Sequence, residues 1–233
     1  MKKKMLKISL LNYLYKYLKI FRNRKPSFHY AEFGEDIFIN RIFKNYIKGI
    51  YVDVGCYHPF KGSLTAKLYE KNWNGINIDI SKTSIDLFNI VRKRDINLNY
   101  AISDFNGNTV FYENSPINQQ NSLIKVNENQ KEVKIECFTL NHILSENNIQ
   151  KFDYLNIDVE GNELKVIKSI DLEKYKPNLI TVENNDLLVK DYLNSDIYKI
   201  FEKNNYILVN KIGVTNFFMP NNLAKNLMNL IKI

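Results

Sequence analysis

Cysteine is nearly missing from this chain. There are 2 in 233 residues, Cys56 and Cys137, far apart and in no CxxC pair. That excludes a disulfide framework and a cysteine zinc site, and a reducing compartment is the expectation. Glycine and proline are scarce, at 8 and 5 residues, which rules out collagen-like and low-complexity classes. No Asn-x-Ser/Thr sequon occurs, although Asn is abundant. No apolar run is long and pure enough for a transmembrane helix. Alanine stands only at Ala31, Ala66, Ala101 and Ala224, beside many Asn, Lys and Ile. That bias reads as AT-rich coding sequence and carries no functional signal.

What is present is the composition of a folded protein. The chain is 45% hydrophobic and 13% aromatic, too apolar for a disordered segment. Its length allows one domain with a sizeable core, or one domain with an appendage.

The net charge of +8 is unevenly placed. Residues 1–25 hold nine Lys and Arg and no acid, which leaves 24 basic residues against 25 acids in the remainder. The bulk of the chain is close to neutral. A domain that coats nucleic acid carries its own basic patch, so no nucleic-acid partner is expected.

Residues 4–21 read KMLKISLLNYLYKYLKIF. Lys7, Asn12, Lys16 and Lys19 interrupt any signal-peptide core, and no A-x-A site follows. At 100° per residue, Leu6, Leu10, Tyr13, Leu14, Tyr17, Leu18 and Phe21 share a broad face, with Ser9, Asn12, Lys16 and Lys19 opposite. Two uses fit this amphipathic helix. It lies on an anionic membrane surface, or it packs its apolar face on the domain or on a partner. Pro26 ends the segment. The division is a basic amphipathic segment, 1–29, and one domain, 30–233. A cytoplasmic protein is expected, held at the inner face of the membrane if residues 1–25 lie on lipid.

From residue 31 the chain alternates helical and strand patterns. A helix is predicted over 31–49, where Phe33, Ile37, Phe38, Ile42, Phe43 and Ile47 recur at helical spacing. Strands are predicted at IYVDVG, GINIDI, INLNYAIS, FDYLNIDVEG and NLITVE. Helices over 62–72, 82–93, 162–170 and 187–203 come between or after them. Residues 108–138 add extra strands, and YILVNK with VTNFFM forms a final hairpin around Gly213. This alternation predicts an α/β fold: an open, mostly parallel sheet with helices on both faces and an antiparallel edge. Ligands bind such sheets beyond the carboxyl ends of the strands.

Those ends are acidic. Asp53 and Gly55 close the first strand. No G-x-G-x-x-G follows, so a dinucleotide pyrophosphate is not expected, and neither is a nicotinamide oxidoreductase. An acid two residues before a lone glycine suits a cationic ligand without phosphate, such as S-adenosylmethionine; an ordinary strand exit is the plain alternative. Asp79, after the second strand, can accept both ribose hydroxyls or cap a helix with Ser81. Ile102, Ser103 and Asp104 are placed to meet an adenine. Asp158, Glu160 and Glu163 follow the fourth strand, and Glu183 the fifth. Carboxylates at the ends of four strands would each cost desolvation energy if buried unpaired, so together they favour a site over a packing role.

The stretches YVDVGCYHPFKGSLTAKLYEKNWNGINIDI, RDINLNYAISDFNG, FDYLNIDVEGNELKVIKSID and KPNLITVE, with GEDIFI as lead-in, resemble the FkbM-type S-adenosylmethionine-dependent methyltransferases. The resemblance covers roughly residues 30–185. It implies a Rossmann-like sheet of seven strands with a reversed final hairpin, S-adenosyl-L-methionine as cofactor, and O-methylation of a hydroxyl, frequently on a sugar. By position, Asp53, Gly55 and Asp79 match the cofactor motifs, Asp104 falls near the adenine position, and Asp158 with Glu160 matches the acidic DVEG motif. Cys56 stands where the family commonly has Ala. Residues 1–29 lie outside the match.

Methyl transfer to a hydroxyl calls for a general base. His58, Asp158 and Glu160 are the candidate catalytic residues, with Glu183 behind them and Asp158 or Glu160 ranked ahead of His58. No metal is expected, and Asp158 or Glu160 with Glu183 is the set that suits magnesium if one binds. The expected acceptor is a glycan or a nucleotide-linked sugar. The acceptor wall is expected from 56–66, 114–130 and 184–190. Methylation of protein or RNA, or a degenerate binding module, are the competing readings. Trp73 and Tyr69 are read as core, and the Arg92-Lys93-Arg94 run as a solvated helix end.

Overall fold

The first strand after the basic segment, β1 (Ile50–Val54), reads IYVDV and is covered on both faces, as a central parallel strand requires. It pairs in parallel with β2 (Asn74–Ile78), which pairs in turn with β3 (Ile96–Leu98). These elements come from a computed structural model, which describes residues 2–22, 29–115, 121–125, 128–184 and 189–225. Helices α1 (Lys2–Arg22) and α2 (Glu35–Ile42) precede β1; α3 (Ala66–Glu70) and α4 (Lys82–Val91) form the crossovers. Ser81 starts α4 by accepting the Ser84 N–H at 3.1 Å.

The predicted strand INLNYAIS is two strands. Beyond β3 the chain leaves the main sheet, and β4 (Ala101–Ile102) enters a second sheet with β5 (Gly107–Glu113) and β6 (Lys131–Phe138), in the order β4-β6-β5. Asn99 pins the break: its side-chain amide donates to the Asp79 and Ile80 carbonyls, each at 2.9 Å. The chain returns through α5 (Leu140–Glu146) to β7 (Tyr154–Ile157), then α6 (Glu163–Lys168), α7 (Leu172–Tyr175) and β8 (Leu179–Glu183). The short helices α5 and α7 escape a periodicity reading, but each has a side-chain cap, from Thr139 and Asp171.

The predicted helix over 187–203 is α8 (Val189–Tyr192) and α9 (Asp196–Lys203), with Ser195 capping the second; positions 187–188 lie outside the described residues. The chain closes with β9 (Tyr206–Ile212) and β10 (Thr215–Pro220). The main sheet runs β3-β2-β1-β7-β8-β10-β9. Only β10 runs against the direction of the other six strands, as the expected reversed hairpin requires. The whole is a Rossmann-like α/β fold with a mostly parallel sheet of seven strands.

Two apolar layers hold the sheet. One packs β1, β2, β7 and β8 residues with α5, α6 and α9; the other places Ile39, Phe43, Leu68 and Trp73 on the opposite face. Trp73 is core, as expected. Arg92 is not a solvated helix end, because it is 1% exposed. Its guanidinium donates to Tyr51 Oη at 2.9 Å, the Pro59 carbonyl at 2.7 Å and Ser63 Oγ at 3.1 Å.

Candidate active site

The site begins where β1 stops. Gly55 takes φ +83°, and a Cβ there would lie 1.6 Å from the Asp158 carbonyl oxygen. Only glycine lets the exits of β1 and β7 approach so closely. Tyr57 then takes φ +50°, a strained conformation for a bulky side chain. Its N–H donates to Asp79 Oδ2 at 2.8 Å, and the Ser81 N–H donates to Oδ1 at 2.7 Å. Burial nevertheless raises the Asp79 carboxyl to a pKa of about 6, against those two hydrogen bonds.

Asp79 lines a cleft of about 510 Å³ between the ends of β1, β2 and β7. Gly55 and Tyr57 form one side. Ile80, Tyr100, Ile102 and Leu123 give it an apolar wall, and Asn121, Asp158, Glu160 and Asn162 add polar groups. No Lys or Arg lines it among the described residues. A second cleft, of about 600 Å³, adjoins it. Glu32, Glu35, Asp158, Glu160 and Glu183 line this one with Phe33, Leu64 and Thr215, again with no Lys or Arg. Tyr57, Asp158 and Glu160 belong to both walls.

The shared wall is electrostatically loaded. Carboxylate oxygens of Asp158, Glu160 and Glu183 lie within 4.8 Å of one another. Burial pushes the Asp158 carboxyl well up, and the adjacent Glu183 charge with a hydrogen bond to Glu183 pushes it further. The Asp158 carboxyl therefore holds its proton more tightly than an exposed carboxyl does. Glu160 is raised to about 7, first by burial and then by Glu183 and Glu163. Its backbone takes φ +55°, and its carbonyl accepts from Ser122 Oγ at 2.7 Å. The nearby Glu163 is no part of this pair of clefts: it accepts the Val159 N–H at 3.2 Å and the Gly161 N–H at 2.9 Å, which closes the turn before α6. Three hard oxygens so close also suit a divalent cation, and Asp158, Glu160 and Glu183 are the residues that would hold one.

Several residues expected at the site stand elsewhere. Asp53 is 2% exposed and lies beneath the cleft, accepting Thr65 Oγ1 at 2.8 Å and Asn156 Nδ2 at 2.9 Å. His58 is buried outside both clefts, and its Nδ1 accepts the Phe60 and Lys61 N–H groups at 3.1 and 3.0 Å. Burial lowers its pKa to about 4. That geometry makes it an organiser of the loop, with the basic nitrogen already engaged. Ser103 is buried against the Phe138 carbonyl, and Asp104 is an exposed neighbour that accepts from it at 3.2 Å; neither lines the cleft. The strand break turns them away and presents Tyr100 and Ile102 instead. Tyr57, Asn121 and Leu123 fall within the stretches expected for the acceptor wall, but they line the first cleft; Asn162 gave no signal in sequence, since long-range folding brings it here. Of the expected acceptor wall, residues 116–120, 126–127 and 185–188 lie outside the described residues.

The methyltransferase FkbM domain matches residues 53–208, more than half of the chain. The chain belongs to the FkbM methyltransferase family. The match begins in β1 and ends in β9, so it spans every residue that lines the first cleft and the wall the two clefts share, and leaves out α1. A search of the curated proteins finds no match.

Proposed function

We propose that this methyltransferase uses S-adenosyl-L-methionine to O-methylate a sugar hydroxyl, on a glycan or a nucleotide-linked sugar. The observation that carries the reading is the wall of Tyr57, Asp158 and Glu160 shared by two adjoining clefts. A transferase needs two sites that meet at one point.

The first cleft fits the cofactor. Gly55 supplies a backbone crest where no side chain fits, Asp79 offers a carboxylate to ribose hydroxyls, and Tyr100, Ile102 and Leu123 offer apolar surface to an adenine. The absence of Lys and Arg suits a cationic ligand without phosphate. When bound there, S-adenosylmethionine supplies an electrophilic methyl carbon.

The chain's own residues handle the proton. A carboxyl poised near neutral pH is matched to general-base work, and Glu160, at about 7, is that group. It takes the proton from the acceptor hydroxyl. Asp158, whose carboxyl burial and the Glu183 charge push well up, orients that hydroxyl by hydrogen bonding. The five carboxyl groups of the second cleft accept hydrogen bonds from a polyol and repel phosphate. That favours a glycan hydroxyl over the phosphate end of a nucleotide sugar, and opposes an RNA acceptor.

Calorimetric titration with S-adenosylmethionine, with NADH as control, tests the first half. Micromolar binding is expected, weakened at least about tenfold in Asp79→Ala, with melting temperature recorded for both proteins. Absence of binding by the folded wild type sinks the reading. Neutral glycans and nucleotide sugars are then compared as acceptors by mass increase of the product.

A further inference from the structure

Helix α1 is docked by the wrong face for a helix that packs on its own domain. Ile20 is fully buried against Phe60 and Leu87, and Lys16 pairs with Asp86 of α4. Both docking residues lie on or beside the polar face of the helix. The leucine and tyrosine face points away: Leu10 is 66% exposed, Leu14 48% and Leu18 57%, with Tyr13 and Tyr17 exposed beside them. A helix that met its own core would hide this face. No described helix is long and apolar enough to cross a membrane.

We infer that α1 is an in-plane anchor for an anionic membrane surface, with Leu10, Leu14 and Leu18 entering the boundary between headgroups and acyl chains. Charge selects the occupant. Residues 1–25 carry nine basic residues and no acid, while the remainder is nearly neutral. Two such segments from two copies would repel each other face to face, whereas an anionic leaflet attracts the net positive charge of the segment. Tyrosines flanking a leucine stripe suit the headgroup level, where a ring meets both apolar and wet surroundings. The docked end gives the anchor a rigid grip. Phe60, which holds Ile20, lies in the same loop as Tyr57, so the anchor attaches beside the wall of the clefts.

The test is sedimentation of the full chain with vesicles of phosphatidylcholine alone and with about 30% phosphatidylserine added, at low and high salt. Preferential binding to the anionic vesicles, weakened by salt, is expected. The variant Leu10→Glu, Leu14→Glu, Leu18→Glu should lose at least about tenfold in partitioning. The variant Lys2→Gln, Lys3→Gln, Lys4→Gln should lose about fivefold per charge removed. Melting temperature and S-adenosylmethionine binding should stay unchanged in both, because the three leucines are exposed and outside the clefts. Failure to sediment with anionic vesicles overturns the inference. So does light scattering that shows a dimer in solution dissolved by the leucine variant, since a second copy then covers the face.

Discussion

Two regions of this methyltransferase crowd polar groups into the interior, and they solve the problem in opposite ways. Under β1 and β2, every ionised group has a partner. Asp53 is held by Thr65 and Asn156, Asn156 accepts Thr181 Oγ1 at 2.7 Å, and Arg92 gathers Tyr51, Ser63 and the Pro59 carbonyl. Asp95 accepts from Tyr51, from the Gly75 N–H at 2.8 Å and from Asn77 at 3.0 Å. Above the strand ends, Asp158, Glu160 and Glu183 face one another, and among the described residues no Arg or Lys lines either cleft. Compensated polarity belongs to the framework; uncompensated charge marks the place reserved for chemistry.

The sharpest way to break this contrast is Arg92→Ala. It strands several buried acceptors, and a loss of about 3–5 kcal/mol in urea unfolding is expected. A cost near zero would mean that the lower network is not a framework. Next comes Glu160→Gln, expected to slow methyl transfer about 100-fold while leaving urea stability at least as high as in the wild type. The wild-type rate should climb as pH rises through about 7, where Glu160 loses its proton, and the Gln variant should lack that rise. If the variant turns over normally, the upper region is not the catalytic one.

A smaller effect is expected from Asp53→Asn, which leaves one buried donor without its acceptor: about 1–2 kcal/mol in urea, with S-adenosylmethionine affinity kept. Loss of cofactor affinity without loss of stability would move Asp53 back to the site. The smallest effect is a pH dependence. Glu160 has a folded pKa above its unfolded one, so its contribution is intact below about 4.5 and declines as pH rises through about 7. Glu160→Gln should therefore melt about 2 °C above wild type at pH 8, and the gap should close by pH 4.5. Addition of magnesium tests the cluster separately: a rate that rises with metal and falls with chelator would give Asp158, Glu160 and Glu183 to a cation.

Much of this was legible because parallel strands leave strong marks. IYVDVG, GINIDI, FDYLNIDVEG and NLITVE hold strands buried on both faces, so each stands out as an apolar run with an acid at or near its end. The same regularity misled at INLNYAIS, where no hydrophobic pattern distinguishes one strand from two in different sheets; the break depends on Asn99 reaching carbonyls some twenty residues away. Asp53 and His58 looked like site residues because position along a strand says nothing of what closes over a side chain. The apolar face of α1 was clear from its spacing, but which way it points depends on Ile20 and Lys16 finding α4 and the loop after β1.

The hydrogen bond from Ser122 to the Glu160 carbonyl ties the smaller sheet's hairpin to the turn that carries the proposed base. Exchange of that hairpin for one from a relative is an obvious route to a new acceptor range. Such a chimera would not inherit the original chemistry intact: without a hydroxyl at position 122 the turn loses its clasp, and pocket shape and proton affinity change in one step. Engineers who transplant this insertion should carry the serine with it.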